Sequence, residues 1–258
     1  MKPRSTIRRL LAGCGYLGKG LAMWVSSPRA MLLGAIPPFI VGLVYSALAV
    51  VFAINLDALV GWITPFADTW DAGFATVLRG AVGIGLAGAA ILIGVFTFTA
   101  VTLTVGDPFY ERISRIVEVR LGNAPAELDE SFWTGLWRGI GSGIRFLLLT
   151  ASVGLMLFVL GFIPVLGQTV VPVLGWFFGG WFLAIELSGF AFEARGLRLS
   201  DRRRALGRDR TTTLGFGVLT YLLFLIPLAP VIVMPAAVAG ATILARDAID
   251  GAVADTPQ

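Results

Sequence analysis

Four apolar blocks, each longer than a buried helix of a small soluble domain needs to be, limit how this chain can fold. The first covers residues 30–54 and the second residues 77–105. A helix of about 20 apolar residues crosses the hydrocarbon core of a bilayer, so both blocks can span it. Soluble domains carry about 25% charged residues, whereas 14% of this chain is charged and 57% is apolar. The sequence therefore predicts an all-α integral membrane protein with a single multi-pass domain.

The third and fourth blocks, residues 146–192 and 214–245, are each interrupted by an Ile-Pro pair, and a second proline follows eight residues after the first. The arms of the fourth block have about 12 and 15 residues, so at 1.5 Å per residue neither crosses a core of about 30 Å. We interpret the two blocks as a weak internal repeat of one re-entrant or hemi-penetrating helical hairpin. Arms that cross fully would satisfy the charge pattern equally well. The prolines are Pro164 and Pro172 in the third block, and Pro227 and Pro235 in the fourth.

Charges between the blocks indicate the orientation. Residues 1–29 contain six Lys or Arg and no acid, and residues 55–73 contain three Asp and no Lys or Arg. Because cytoplasmic segments carry the excess of Lys and Arg, we predict cytoplasmic termini in a cell (plasma or inner) membrane. The predicted order is a cytoplasmic amphipathic helix (1–29), a first span (30–54), an outside loop (55–73), a second span (77–105), a cytoplasmic amphipathic segment (107–145), hairpin 1 (146–192), a basic cytoplasmic loop (193–213), hairpin 2 (214–245) and a cytoplasmic tail (246–258).

Two polar segments have apolar residues at helical spacing, which predicts amphipathic helices lying in the cytoplasmic interface. The second segment also carries four charged residues that the spacing places on the opposite, water-facing side. The stripe of the first segment is Ile7, Leu10, Leu11, Cys14, Leu17, Leu21 and Trp24; that of the second is Phe109, Ile113, Ile116, Val117 and Leu121, opposite Glu111, Arg112, Arg115 and Glu118.

The residue types present exclude several classes of site. The chain has no histidine, which removes Ser-His and Cys-His nucleophiles and His-ligated metals, and Cys14 is its single cysteine. Gly83, Gly85 and Gly88 match a dinucleotide-binding spacing but lie inside a predicted span, so we interpret them as small residues for close helix packing. The arginine run at 202–204 is interpreted as an orienting loop that meets lipid headgroups. We predict no cofactor, no metal, no nucleic-acid partner and no enzymatic activity.

The two hairpin tips carry the sharpest chemical signal. After each Ile-Pro break a new helix is predicted near the middle of the bilayer, at about Gln168-Thr169 and about Val231. A helix start offers unpaired backbone N–H groups and a partial positive charge, which together can hold an anion. Burial of both tips in protein is the alternative. Glu186, the one acid well inside an apolar block, is either paired with an arginine or part of a pathway.

Motifs at and after these tips resemble the CysZ sulfate permease family, whose distant relatives are the eukaryotic etoposide-induced membrane proteins. The match is close over residues 160–245 and looser over residues 24–122. In the looser part, the Pro108-Phe109 pair with Glu118 and Leu121 resembles the family's segment after its second span. The resemblance implies two full transmembrane helices, two hemi-penetrating hairpins, a homo-oligomer, and sulfate uptake that supplies cysteine synthesis. The motifs are FIPVLGQTVVPVL at 162–174, WFLAIE at 181–186, LIPL at 225–228 and MPAAVAGAT at 234–242.

The chain departs from the family pattern at several positions, two of which, according to the resemblance, would bind the substrate. Similar bacterial members carry two adjacent arginines, taken as sulfate ligands, shortly after the proline that opens the first span. Those two places hold Met31 and Leu32 here, and Arg29 is the nearby cation. An aspartate and a proline that the family pattern has after Glu186 are Gly189 and Ala191 in this chain. The scaffold therefore resembles the family more closely than the substrate positions do.

We predict from these observations that the chain moves a small oxyanion, sulfate first, across the membrane as a permease or channel. The predicted partners are sulfate or a related oxyanion, membrane lipids and further copies of the chain. The alternative is a non-transporting membrane scaffold or lipid-interacting protein on the same fold. A cavity lined by arginines or N–H groups would favour transport, and a solid bundle would favour the scaffold. The predicted substrate-binding residues are Arg29, Gly167, Gln168, Thr169, Glu186 and Val231.

Overall fold

The protein is all α-helical in a computed structural model that describes residues 5–122, 124–125 and 132–254. Five helical segments of these residues are long and apolar enough to cross a membrane, and the prediction of an all-α membrane protein is confirmed. Two short 3₁₀ turns, Pro65–Thr69 and Gly207–Asp209, complete the described elements. The α-helices are α1 (Thr6–Ser26), α2 (Pro28–Leu33), α3 (Ile36–Ile63), α4 (Ala72–Leu121), α5 (Phe132–Gly161), α6 (Leu166–Leu187), α7 (Gly189–Glu193), α8 (Leu199–Leu206), α9 (Arg210–Phe224) and α10 (Ala229–Ala254).

Large apolar side chains cover the outside of the long helices. Phe39 on α3 is 76% exposed, Ile84 on α4 77% and Leu147 on α5 65%. Soluble monomers rarely expose contiguous apolar patches larger than a few hundred Å². These faces therefore match a lipid environment rather than water.

Helices α3 and α4 both extend beyond the C-terminal ends predicted for the two spans. The first predicted span ends at residue 54, but α3 continues to Ile63 because the polar residues that suggested a loop fit into the helix. The side-chain amide of Asn55, for example, donates to the carbonyl oxygen of Val51 at 2.7 Å. Helix α4 continues through Pro108 to Leu121, so the second predicted span and the start of the amphipathic segment are one helix.

The described chain divides into two compact units, and the smaller one is Ala35–Asp107. Within it, the ring of Tyr45 packs edge-on against Phe98 with ring centroids 5.4 Å apart. Of the three glycines interpreted as helix-packing residues, Gly83 faces α3, since a Cβ atom there would lie 3.6 Å from Cγ2 of Val60. A Cβ atom added at Gly85 or Gly88 would meet nothing within 4 Å.

Helix α1 belongs to the larger unit, Met1–Gly34 with Pro108–Gln258, and packs against α9 and α10. This packing was not predicted, and the position of α1 in the cytoplasmic interface stays a prediction. A Cβ atom at Gly20 would lie 2.0 Å from the carbonyl oxygen of Ala236, so the two backbones touch there. Of the predicted apolar stripe, Leu17 is only 1% exposed, whereas Ile7 is 71% exposed and Leu11 65%. Among the residues of α1 whose side chains the structure describes, the buried ones are Gly13, Leu17, Gly20 and Met23.

Helices α6 and α9 also meet through glycines. A Cβ atom at Gly217 would lie 2.0 Å from the carbonyl oxygen of Gly180 and 3.0 Å from the Cβ of Ala184, and one at Gly179 would lie 2.6 Å from the ring of Tyr221. Residue numbers therefore rise along α6 as they fall along α9, which makes the two helices antiparallel. Both hairpin tips consequently point in the same direction.

The second hairpin has arms of very different length. Helix α9 has 15 residues, or about 22 Å, whereas α10 has 26 residues, or about 39 Å. The predicted arm of about 15 residues after the break was wrong, because the helix continues beyond residue 245. The length of α10 no longer argues against a full crossing, and the depth of the hairpins stays a prediction.

Candidate functional site

Both hairpin tips have the same backbone geometry, which agrees with the predicted internal repeat. Val165 and Leu228 each follow the proline of an Ile-Pro pair, and they have φ angles of 69° and 66°. A positive φ is uncommon for residues other than glycine, and these are the two such residues among those described. Helix α6 then begins at Leu166 and α10 at Ala229, two residues before the predicted starts.

The first tip holds three of the predicted site residues in the opening turns of α6. The Gly167 N–H donates to the carbonyl oxygen of Ile163 at 2.8 Å, and the Thr169 N–H donates to that of Val165 at 3.1 Å. The Gln168 side chain is exposed. An anion at this helix start would therefore have to compete with hydrogen bonds inside the tip for two of the N–H groups.

Val231, in the second tip, does not lie at the depth of Gln168. Its N–H donates to the carbonyl oxygen of Leu228 at 3.1 Å. Gly179 on α6 is level with Tyr221 on α9. Helix α6 begins thirteen residues before Gly179, whereas α9 ends three residues after Tyr221. At 1.5 Å per residue, α6 therefore begins about 15 Å beyond the level at which α9 ends. We infer that the two helix starts do not form a common binding site within one chain.

Arg29 lies on α2, which packs beside the first part of α10. A Cβ atom at Gly34 would lie 2.2 Å from Cγ of Pro235, one helical turn from Val231. The Arg29 side chain is exposed. Met31, at one of the positions where the family resemblance has arginine, is completely buried, and Leu32 is 59% exposed. The chain thus replaces one expected ligand by a core residue and has an exposed cation two residues earlier.

Glu186 lies in the last turn of α6, far from the tip. Eighteen residues separate it from Gln168, or about 27 Å, and its side chain is exposed. The neighbouring Gly189 makes room for the guanidinium of Arg202, which would be 2.7 Å from a Cβ atom there. That guanidinium donates to the carbonyl oxygen of Ile185 at 3.1 Å and to Glu193 Oε1 at 2.7 Å. Gly189 therefore replaces the family's aspartate with space for a buried arginine.

A buried charge cluster in the larger unit was not predicted. Glu118 is 2% exposed, although the sequence placed it on the water-facing side of its helix. Both of its oxygens accept hydrogen bonds from Arg195, at 2.6 and 2.9 Å. Arg246 lies 3.7 Å from the same carboxylate and donates to the carbonyl oxygen of Gly122.

A pair of hydroxyls extends this cluster by one turn on both helices. Ser114 Oγ and Thr242 Oγ1 are 2.9 Å apart, both buried, one turn before Glu118 on α4 and Arg246 on α10. The cluster ties together α4, the segment after α7, and α10. Two arginines share one carboxylate, and the second arginine is also held by carbonyls at the end of α4, where the helix dipole is negative. We call Ser114, Glu118, Arg195, Thr242 and Arg246 the polar column.

The sequence contained one signal for this column. Glu118 adjoins Val117 and lies four residues after Ser114, so a small rotation of the predicted apolar stripe brings Ser114 and Glu118 onto the buried face. Burial then follows from partners more than 70 residues away, which spacing on one helix does not reveal. The column contains none of the predicted binding residues.

Comparison with known proteins agrees with the resemblance in the motifs. The family model described as sulfate transporter CysZ/etoposide-induced protein 2.4 matches residues 16–235. A sulfate transporter CysZ of Pseudomonas paraeruginosa (strain DSM 24068 / PA7) is 32% identical over 239 residues, which cover 90% of this chain and 94% of that relative. The match includes both hairpin tips, α2 and most of the polar column. The chain belongs to the sulfate transporter CysZ/etoposide-induced protein 2.4 family.

Proposed function

We propose that this protein carries sulfate, or a closely related oxyanion, across the cell inner membrane, where it supplies cysteine synthesis. The observation that carries the proposal is the 32% identity to a sulfate transporter over 90% of the chain. An alignment that covers nearly the whole of both proteins supports a shared activity better than a local motif does. The exposed apolar faces of the long helices support a membrane location.

The chemistry of the substrate indicates what the protein must supply. Sulfate is a dianion, and a charge that leaves water needs fixed dipoles or cations to replace its hydration. Arg29 and the two helix starts are the proposed contacts, and Arg29 has the advantage of an exposed guanidinium beside α10. Glu186 is proposed to line the pathway rather than to bind the anion, because a carboxylate repels a dianion.

Sulfate flux into proteoliposomes, with selenate, thiosulfate and phosphate as competitors, tests this function. One charge-assisted hydrogen bond contributes about 1.5–3 kcal/mol, so Arg29→Ala should weaken apparent sulfate affinity about tenfold or more. Arg203→Ala, which removes an exposed arginine from the basic loop, is the matched control and should leave the affinity unchanged. Gln168→Leu should have less effect than Arg29→Ala, since backbone N–H groups remain.

Absence of flux for every oxyanion, in protein that remains folded and reconstituted, would refute transport and favour the scaffold. The glycine contacts among α1, α6, α9 and α10 are relevant to that alternative, because they leave no space for an ion where the backbones touch. We propose that passage takes another route, with further copies of the chain. Light scattering of the detergent-solubilised protein would measure the proposed homo-oligomer, and a monomer would contradict it.

A further inference from the structure

One arginine stands far from all other cations in the sequence. Arg79 is the sole Lys or Arg in residues 30–111. It lies seven residues inside α4, near the end that residues 64–71 connect to α3. An arginine within an apolar helix is costly unless its guanidinium reaches water or a partner. Its position in a chain proposed to carry an anion makes its environment informative.

Two side chains of the same unit hold the guanidinium of Arg79. Its Nη2 forms an ion pair with Asp68, and its Nε–H donates to Thr64 Oγ1 at 3.4 Å. Thr64 is 1% exposed, and its hydroxyl donates to the carbonyl oxygen of Val60 at 2.8 Å. The hydroxyl therefore offers a fixed acceptor that orients the guanidinium. The Arg79 side chain remains 37% exposed.

Asp68, the partner of Arg79 on the solvent side, is easily replaced by another anion. The Asp68 side chain is 68% exposed, and ion pairs between exposed groups contribute little net stability. A guanidinium recognises a carboxylate and a tetrahedral oxyanion with the same planar N–H donors. A dissolved oxyanion can therefore take the place of the Asp68 carboxylate, while Thr64 keeps the arginine oriented. The neighbouring Asp71 accepts the Gly73 N–H at its Oδ1, at 2.9 Å.

We propose that Arg79 captures the substrate oxyanion at the membrane face that carries residues 64–71, and that Asp68 competes with the substrate for its guanidinium. The inference rests on the proposed transport function. The incoming oxyanion displaces Asp68 from Nη2 and also reaches the Nη1 hydrogens, and its departure returns the arginine to Asp68. Because Asp68 is part of the protein, it is always present to compete for Arg79. The substrate must therefore reach a concentration that overcomes this competition before capture begins.

The test is the concentration dependence of radiolabelled sulfate uptake by cells that lack other sulfate transporters. Arg79→Gln should raise KM about tenfold, which is the loss expected for one charge-assisted contact, and should change Vmax little. Asp68→Asn should lower KM about two- to fivefold, the range expected for release of an exposed ion pair. Asp57→Asn is the matched control, since it removes the same charge from an exposed position at the same end of α3.

The double variant Asp68→Asn with Arg79→Gln separates direct competition from a general field effect. If Asp68 acts through Arg79, the double variant has the KM of Arg79→Gln alone. An unchanged KM in Arg79→Gln would overturn the inference, as would equal KM values in Asp68→Asn and Asp57→Asn. The latter comparison decides the matter if Arg79→Gln fails to reach the membrane. Absence of uptake by the unmodified protein would refute the transport function itself, whereas normal uptake with unaffected variants would refute only the role of Arg79.

Discussion

The buried ion pair at the centre of the polar column gives the most quantitative prediction. Glu118→Gln keeps the shape of the side chain but removes the charge that faces Arg195 and Arg246. Breaking a buried pair by neutralising one partner costs about 3–5 kcal/mol. The lower end applies here, because Arg195 also donates to the carbonyl oxygen of Ala191 at 2.8 Å and Arg246 to that of Gly122.

A loss of about 3 kcal/mol corresponds to a fall of about 6–12 °C in the unfolding midpoint of a chain of this size. Thermal unfolding in detergent, followed by the fraction that remains monodisperse, measures this fall. Glu111→Gln is the control, because it removes the same charge from an exposed position on α4 and should change stability by less than about 0.5 kcal/mol. Equal midpoints for the two variants would refute the assignment of Glu118 as a stabilising buried charge.

Replacement of both partners distinguishes two causes of instability: the loss of the attraction between Glu118 and Arg195, and the cost of leaving one charge buried without its partner. The double variant Glu118→Gln with Arg195→Gln removes the cation that Glu118→Gln leaves uncompensated. Since most of the cost of a broken buried pair comes from that remaining charge, the double variant should recover part of the lost stability. If it is as unstable as the sum of the two single variants, the pair stabilises the fold mainly through its hydrogen-bond geometry.

Three further predictions concern orientation, packing and depth. In a cysteine-free background, Asp68→Cys and Arg203→Cys should label from opposite sides of the membrane, and labelling of both from outside would contradict the topology. Gly20→Ala should destabilise the protein because its backbone touches that of α10, whereas Gly18→Ala, in open space on the same helix, should stabilise it by up to about 1 kcal/mol in the same unfolding assay. Ala229→Cys should label slowly from outside if the second tip is embedded, and rapid labelling would indicate arms that cross fully.

The hairpin tips were predictable from sequence because their signal is local. A proline disfavours a helical conformation at the residue before it and removes a donor, so Pro164 and Pro227 reveal the breaks directly. The turn conformation was not predictable. Val165 and Leu228 adopt a positive φ that glycine or asparagine usually takes, and nothing in their side chains indicates it. Only the recurrence of the same geometry in both hairpins identifies it as a feature of the repeat.

The packing of α1 against α9 and α10 was not predicted, for a different reason. Its helical period was correct, but a period states which residues share a face and not which face is buried. Glycines contribute little to an apolar stripe, yet in a membrane bundle small residues allow the closest backbone approach. Gly20 therefore determines the contact with α10, while Ile7 and Leu11 remain exposed. The partners lie more than 200 residues away in sequence, beyond the reach of any local pattern.

The arginines show most clearly why charge counting identifies topology but not a binding site. Arg195, Arg202 and Arg246 all lie in segments that are predicted to be cytoplasmic, yet their side chains are only 18%, 8% and 14% exposed. Each is held by a buried carboxylate or a backbone carbonyl, and an oxyanion that displaced such a partner would leave it buried without a hydrogen bond. Arg29 and Arg79 differ from these three buried arginines. Their side chains are more exposed, and a partner at them can be exchanged more easily. Substrate contact is therefore expected where a guanidinium is oriented but still accessible, and the buried arginines are expected to keep the helices in place while the anion passes.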